Sequence, residues 1–385
     1  MSRKKKFERG KMVAATRGEN CSGGGSTMNI FKKLFNGITA LKSGIRNRKN
    51  DGPMLSGISG FDSDSDDDCE NEFVYTDRRE EMMLLDAKFG SNETHLPIIQ
   101  QHLQPRNNQL DYLGHGGFSI VKKCWSEKHE TDVAIKIILM DKENNNLYLQ
   151  KYLPRELEIW GEISKFQNQN ILRMIENFTG TGFTYVVMDV VDNGDLSTLM
   201  KFGALTEHKS RSIFRGLFEA VHFLHKLGIA HRDIKPENLL LTKRNEVKLA
   251  DFTFVTKDNP VSSERCGTPG FLAPEQRDCG YYDPFKSDMW QVGLTLYYMF
   301  FGDMPFTSSR KKHLIDEIAS CRNKYRNVPM PTGRMLSKDA KDLVAGMLQL
   351  EIDNRWNIQH VKASYWLNPT ERNLVNRTPV NDSDD

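Results

Sequence analysis

Between residues 110 and 188 the chain is built from short apolar runs, and after Asp195 it is mostly helical in pattern. No other feature constrains the fold as much. Runs of strand length lie at 110–113, 120–125, 132–139, 171–175 and 183–188, with one helical pattern at 154–166. Helical spacing then dominates at 209–227, 286–301, 313–319 and 340–348. A strand-rich part followed by a helix-rich part argues for two lobes of different architecture, an α+β arrangement.

The flanks differ from this packed region. Apolar residues make up 38% of the 385, which leaves room for unpacked chain. Residues 1–107 are expected to form a disordered extension. Within it, 28–49 carries Ile30, Phe31, Leu34, Phe35, Ile38, Leu41 and Ile45 at helical spacing with a basic opposite face. Such a segment suits an anionic membrane surface, a calmodulin-like groove or the rest of the protein. The block 62–70 is acidic and self-repelling. The polar stretch 368–385 is expected to be a tail. A net charge of +2 gives no general field for nucleic acid. The six cysteines form no C-x-x-C pair, and no apolar run is long enough to span a bilayer. The chain is expected to be a cytoplasmic monomer, with nuclear access open.

Three motifs carry chemistry. L-G-H-G-G-F-S-I-V, starting at Leu113, sets glycines between two strands, where backbone N–H groups can cover phosphates. V-A-I-K places Lys136 at the end of an apolar strand, and a buried ammonium there needs an anion. H-R-D-I-K-P-E-N-L-L groups Asp233, Lys235 and Asn238 within six residues. These supply a proton acceptor, a cation for phosphate and a hard-metal ligand.

In this order the motifs resemble the eukaryotic protein kinase family over residues 108–367. The resemblance implies a small antiparallel-sheet lobe with one helix, a larger helical lobe, protein substrates, ATP, Mg²⁺ and a signalling role. H-R-D-I-K-P-E-N and C-G-T-P-G, Cys266 to Gly270, resemble the serine/threonine class, and the branches most similar are the calcium/calmodulin-dependent and testis-specific serine kinases.

Residue by residue, the resemblance implies that Leu113, Gly114, His115, Gly116, Gly117, Phe118 and Ser119 cover the nucleotide. Lys136 meets its α- and β-phosphates, with Glu156 as helix partner and Glu158 as the alternative. Val121, Ala134, Met188, Val190 and Leu240 line the adenine pocket, and Asp195 meets the ribose. Asn238 and Asp251 hold Mg²⁺, Asp233 receives the hydroxyl proton, and Lys235 steadies the transferring phosphoryl group. A-P-E, Ala273 to Glu275, should pair through Glu275 with Arg355, and Asp288 should support the catalytic loop.

Arg232 is a candidate receptor for an activation-segment phosphate on Thr256, Ser262, Ser263 or Thr268, with Ser263 favoured. Thr253 stands where the family has the glycine of D-F-G. A β-branched residue there is expected only to stiffen the segment, so glycine would leave activity equal or higher. The alternative to an active kinase is a weakly active or inactive scaffold.

Overall fold

A computed structural model describes residues 85–115, 119–140, 147–278, 280–306 and 335–369. Gly116, Gly117, Phe118, the segments 28–49 and 62–70 and the helix expected at 313–319 lie outside the described residues. Helix α1 spans Asn92–Leu103. Strands β1 (Asp111–His115), β2 (Ser119–Ser126) and β3 (Thr131–Leu139) follow. Helix α2 (Leu153–Ser164) precedes β4 (Met174–Gly180) and β5 (Phe183–Asp189). These five strands form one antiparallel sheet in the order β1-β2-β3-β5-β4.

Strand β3 shows why the sheet needs cover on both faces. Alternate residues of a strand point to opposite faces. Val133, Ile135 and Ile137 enter one apolar cluster, while Ala134 and Ile138 enter another. Lys136 keeps step with Ala134 and Ile138, so its side chain projects to their face. The first cluster is closed by Phe89, Ile99, Leu103 and Leu110. Disorder through residue 107 is therefore corrected: Asn92–Leu103 is helix and lies over the sheet. Ile99 and Leu103 are fully buried, which stabilises by about 1.5–3 kcal/mol each. Polar ties add to this: Ser126 Oγ donates to Leu103 O at 2.9 Å, and His95 Nδ1 meets the Tyr185 hydroxyl at 3.1 Å.

The fourth strand begins three residues later than the pattern suggested. Ile171 and Leu172 are buried, but they pair with the larger lobe: Leu172 N–H donates to Leu249 O at 2.9 Å. The true strand is the mixed sequence M-I-E-N-F-T-G, an edge strand half exposed to water.

The larger lobe contains α3 (Leu196–Met200), α4 (Glu207–Lys226), α5 (Pro274–Asp278), α6 (Pro284–Phe301), α7 (Lys338–Met347) and α8 (Ile358–Lys362). Four short strands lie at the face toward the smaller lobe: β6 (Ile229–Ala230) pairs with β9 (Thr256–Lys257), and β7 (Leu239–Leu241) with β8 (Val247–Leu249). Helix α4 starts at Thr206, whose side chain accepts from Lys209 N–H, and buries Ile213, Phe214, Leu217, Val221 and Leu224 on one stripe. Helix α6 starts at the Asp283 cap with Pro284 in its first turn and is buried on nearly every side, as a central helix must be. Among the described residues no helix is long and apolar enough to cross a membrane.

Candidate active site

The alternation of β3 delivers Lys136 to the cleft, where α2 meets it. Lys136 Nζ donates to Glu156 Oε1 at 2.9 Å, and both side chains are buried. Glu158 is exposed on the same helix, so the partner is Glu156. Burial would lower the Lys136 pKa, but the charges of Glu156 and Asp251 outweigh it and hold the ammonium above its usual value. The other oxygen of Glu156 accepts from Tyr148 OH at 3.4 Å and from Thr253 Oγ1 at 3.1 Å. Thr253 Oγ1 also lies 2.7 Å from Asp251 Oδ1. A hydroxyl has one proton, so Thr253 bridges the two carboxylates and donates to one at a time. The expectation that Thr253 only stiffens the chain is thus corrected: its side chain makes a contact that glycine lacks.

The catalytic loop is held from beneath by α6. Asp288 accepts from His231 N–H at 2.8 Å and from Arg232 N–H at 2.7 Å. Gln291, one turn on, accepts from Ile234 N–H at 2.8 Å and donates to Arg232 O at 3.1 Å. The expected support from Asp288 is present. Gln291 was not foreseen, although a Gln inside an otherwise apolar helix was its signal. His231 Nε2 donates to Ala250 O at 3.1 Å, while its Nδ1 accepts from Asp233 N–H at 3.3 Å. Those partners require a neutral ring, and burial lowers its pKa accordingly.

Asp233 is buried and spoken for on both oxygens. Lys235 Nζ donates to Oδ2 at 2.6 Å and to Thr268 Oγ1 at 2.6 Å. Thr268 N–H donates to Oδ1 at 2.7 Å, and Asn238 Nδ2 reaches Oδ2 at 3.2 Å. Burial would raise the Asp233 pKa, but Lys235 and these donors lower it below the usual carboxylate value. The approach of Thr268 depends on Gly267, which has φ of 105° and a would-be Cβ only 2.6 Å from Arg232 O. Any side chain there would push the two loops apart.

The β7–β8 ladder brings Asn238 and Asp251 to the same edge: Ala250 N–H donates to Asn238 O at 2.9 Å. Asn238 Nδ2 is committed to the Asp233 backbone carbonyl at 2.8 Å. That fixes the carboxamide and leaves its buried Oδ1 without a hydrogen-bond partner. A buried oxygen without a donor, near a carboxylate in a left-handed conformation (Asp251, φ 64°), is a donor set suited to a hard divalent cation. Phe252 is fully buried between Trp160 and His231, at ring-centroid distances of 5.5 and 5.4 Å. It pins Asp251 in this orientation.

The expected adenine residues meet in one cluster: Val121, Ala134, Met188 and Leu240 are buried in it, and Leu113 and Val190 pack against it. Gly114 and His115 are paired with Val121 and Ile120, and Ser119 starts the returning strand. Asp195 caps α3, accepting from Thr198 N–H and Ser197 Oγ at 2.7 Å each. Its buried Oδ2 has no partner, which leaves an acceptor for a ribose hydroxyl. Arg355 and Glu275 pair through two bonds, at 2.5 and 2.9 Å, both side chains buried. Of the candidate regulatory hydroxyls, Ser263 is exposed while Thr256, Ser262 and Thr268 are buried. Of these four hydroxyls Arg232 meets Ser262, whose Oγ accepts from its Nη1 at 3.0 Å, and the same Nη1 lies 3.5 Å from the Tyr282 hydroxyl.

Comparison with known proteins agrees with this geometry. A family model described as the protein kinase domain matches residues 108–367. Human testis-specific serine/threonine-protein kinase 1 is 35% identical over 269 residues, covering 68% of this chain and 71% of that protein. Mouse testis-specific serine/threonine-protein kinase 2 is 34% identical, covering 67% and 72%. A probable myosin light chain kinase of Dictyostelium discoideum is 32% identical, covering 66% and 79%. With the paired lysine and glutamate, the braced catalytic loop and these relatives in hand, the chain belongs to the eukaryotic protein kinases, in their serine/threonine class.

Proposed function

We propose that this chain is a catalytically competent kinase, rather than a scaffold, and that it transfers the γ-phosphoryl group of ATP to serine or threonine hydroxyls with Mg²⁺. The observation that carries this reading is the closed Lys136–Glu156 pair, formed while Phe252 is buried and Asp251 faces the cleft. Asn238 and Asp251 would hold Mg²⁺, which when bound neutralises charge on the phosphate oxygens. Lys136 would fix the α- and β-phosphates. Asp233 would orient the acceptor hydroxyl and take its proton, and Lys235 would meet the charge of the transferring group. Phe254 follows the D-F-T triplet as a bulky residue and supports a preference for serine acceptors.

The test is Mg²⁺-dependent transfer from ATP to a generic protein substrate, with Asp233→Ala as control. Removing a positioned acid–base group costs on the order of 10²–10⁴-fold, so a loss in that range is expected. Equal transfer by both proteins would reject the enzyme. The contacts proposed for 28–49, calmodulin-like or anionic membrane, are tested by gel shift and vesicle sedimentation.

A further inference from the structure

The activation segment, 251–275, carries an anion that no motif announces. Glu264 stands between three cations, two from the helical stretch 148–164 and one from the catalytic loop. Arg232 of the catalytic loop donates from Nη2 to Glu264 Oε2 at 2.6 Å. Arg155 of α2 grips the same carboxylate with both arms, at 3.2 and 3.1 Å. Lys151, in the turn before α2, reaches Oε1 at 2.6 Å. Burial would raise the Glu264 pKa, but the hydrogen bonds from Arg155, Lys151 and Arg232 bring it down to about 2. The carboxylate is therefore charged at any working pH.

The residues around Glu264 are also fixed. Its N–H donates to Ser262 Oγ at 3.2 Å, and its carbonyl accepts from Tyr282 OH at 2.8 Å. Ser262 and Tyr282 exchange two backbone bonds, at 2.8 and 2.9 Å. Arg232 donates further to Phe254 O at 2.6 Å and is itself fully buried. Its guanidinium was the candidate receptor for a phosphate on the segment. In this structure the receptor already holds an anion of the chain's own.

We propose that Glu264 is a positioning residue that replaces an activation-segment phosphate: it ties α2, the catalytic loop and the segment together, so that the competent arrangement forms without phosphorylation. The bidentate geometry with Arg155 matters most, because it couples the segment to the helix that carries Glu156. A shift of α2 that breaks Lys136–Glu156 would also break Arg155–Glu264. Three cations facing one carboxylate leave positive charge in excess, so a phosphate on the exposed Ser263 is the competing anion that the test must separate.

The experiment uses the full chain treated with phosphatase until mass spectrometry finds no phosphate. The first readout is backbone hydrogen exchange across 254–266, which does not depend on catalysis. The second is kcat and the KM for ATP, which rests on the kinase reading above. Unphosphorylated wild type should protect the segment, and Glu264→Gln and Arg155→Met should each lose that protection. The double variant should lose no more than either single one. In turnover, Glu264→Gln should lower kcat by roughly 10- to 100-fold, as expected for breaking a charge-assisted bidentate contact. KM for ATP should change by less than about 3-fold, Glu264→Asp should recover part of the loss, and Ser263→Ala should match wild type. The proposal is overturned if phosphatase treatment or Ser263→Ala unprotects the segment, if the two single losses add, or if Glu264→Gln leaves exchange unchanged. Protection lost in Glu264→Gln with no transfer by wild type would sink the kinase reading and keep this one.

Discussion

Arg155 and Glu156 are neighbours on one turn of α2, yet they serve two different ionic systems. Glu156 turns into the cleft and meets Lys136, the two side chains being 2% and 8% exposed respectively. Arg155 turns toward the activation segment and shares Glu264 with Lys151 and Arg232, and the outer members of that group are wet: Lys151 is 48% exposed and Arg155 22%. The first pair is isolated from water and salt, so losing either partner strands a buried charge. The second is a four-member network whose inner member, Arg232, is buried and whose outer members meet water, and its geometry joins three chain segments. One helix thus carries a stiff contact for chemistry and a softer one for arrangement.

The largest effect should come from the stiff side. Removing one member of a buried ion pair costs about 3–5 kcal/mol, which is roughly 10²–10⁴-fold if it falls on the competent state. Glu156→Gln should lower kcat within that range, and thermal melting should show the domain still folded. Should Glu156→Gln turn over like wild type while Arg155→Met does not, the ranking of the two systems is reversed.

Thr253 comes next, because it joins the stiff side to the metal-holding carboxylate. A hydrogen bond to a charged group contributes about 1.5–3 kcal/mol. Thr253→Val keeps the shape and removes the hydroxyl, so activity should fall by roughly 10-fold or more, and Thr253→Ser should recover most of it. Thr253→Gly should also fall, the reverse of what the sequence suggests. Higher activity in the glycine variant would mean that freedom of the segment outweighs the bridge.

The two systems differed in how far the sequence announced them. Lys136, Asp233, Asn238 and Asp251 were legible because each sits in a short motif whose chemistry needs that residue type. Glu156 was half legible: an acid was required on that helix, but spacing left Glu158 open until burial decided. Glu264 was not legible. It lies in the unremarkable run S-S-E-R, and its three cations come from residues 151, 155 and 232, which only the fold brings together. Helix α1 was missed for a related reason. Its own sequence is polar enough to pass for linker, and the signal lay elsewhere, in β3, whose residues 133–139 are apolar on both faces apart from Lys136. A strand with both faces apolar demands a second cover, and α1 provides it.

The smallest effect is the one that separates the two systems without mutation. The screening length is about 8 Å at physiological ionic strength and about 3 Å at 1 M salt. Lys151 and Arg155, which meet water, feel that change, and the buried Lys136–Glu156 pair does not. Raising salt should therefore loosen the Glu264 network and speed hydrogen exchange across 254–266 by a few-fold, while the amides around Glu156 on α2 hold their protection. Acidity should not mimic this over the neutral range. The folded pKa of Glu264 is depressed to about 2, so the stability it contributes is complete above the ordinary carboxylate value and is lost only as pH falls toward that number. Between about pH 6 and 9 the segment's protection, corrected for intrinsic exchange, should stay flat. Salt sensitivity confined to the segment would place the soft contact at Glu264. Equal sensitivity on both sides of α2 would mean that Glu156 is less shielded than its burial indicates, and the distinction between the two systems would fail.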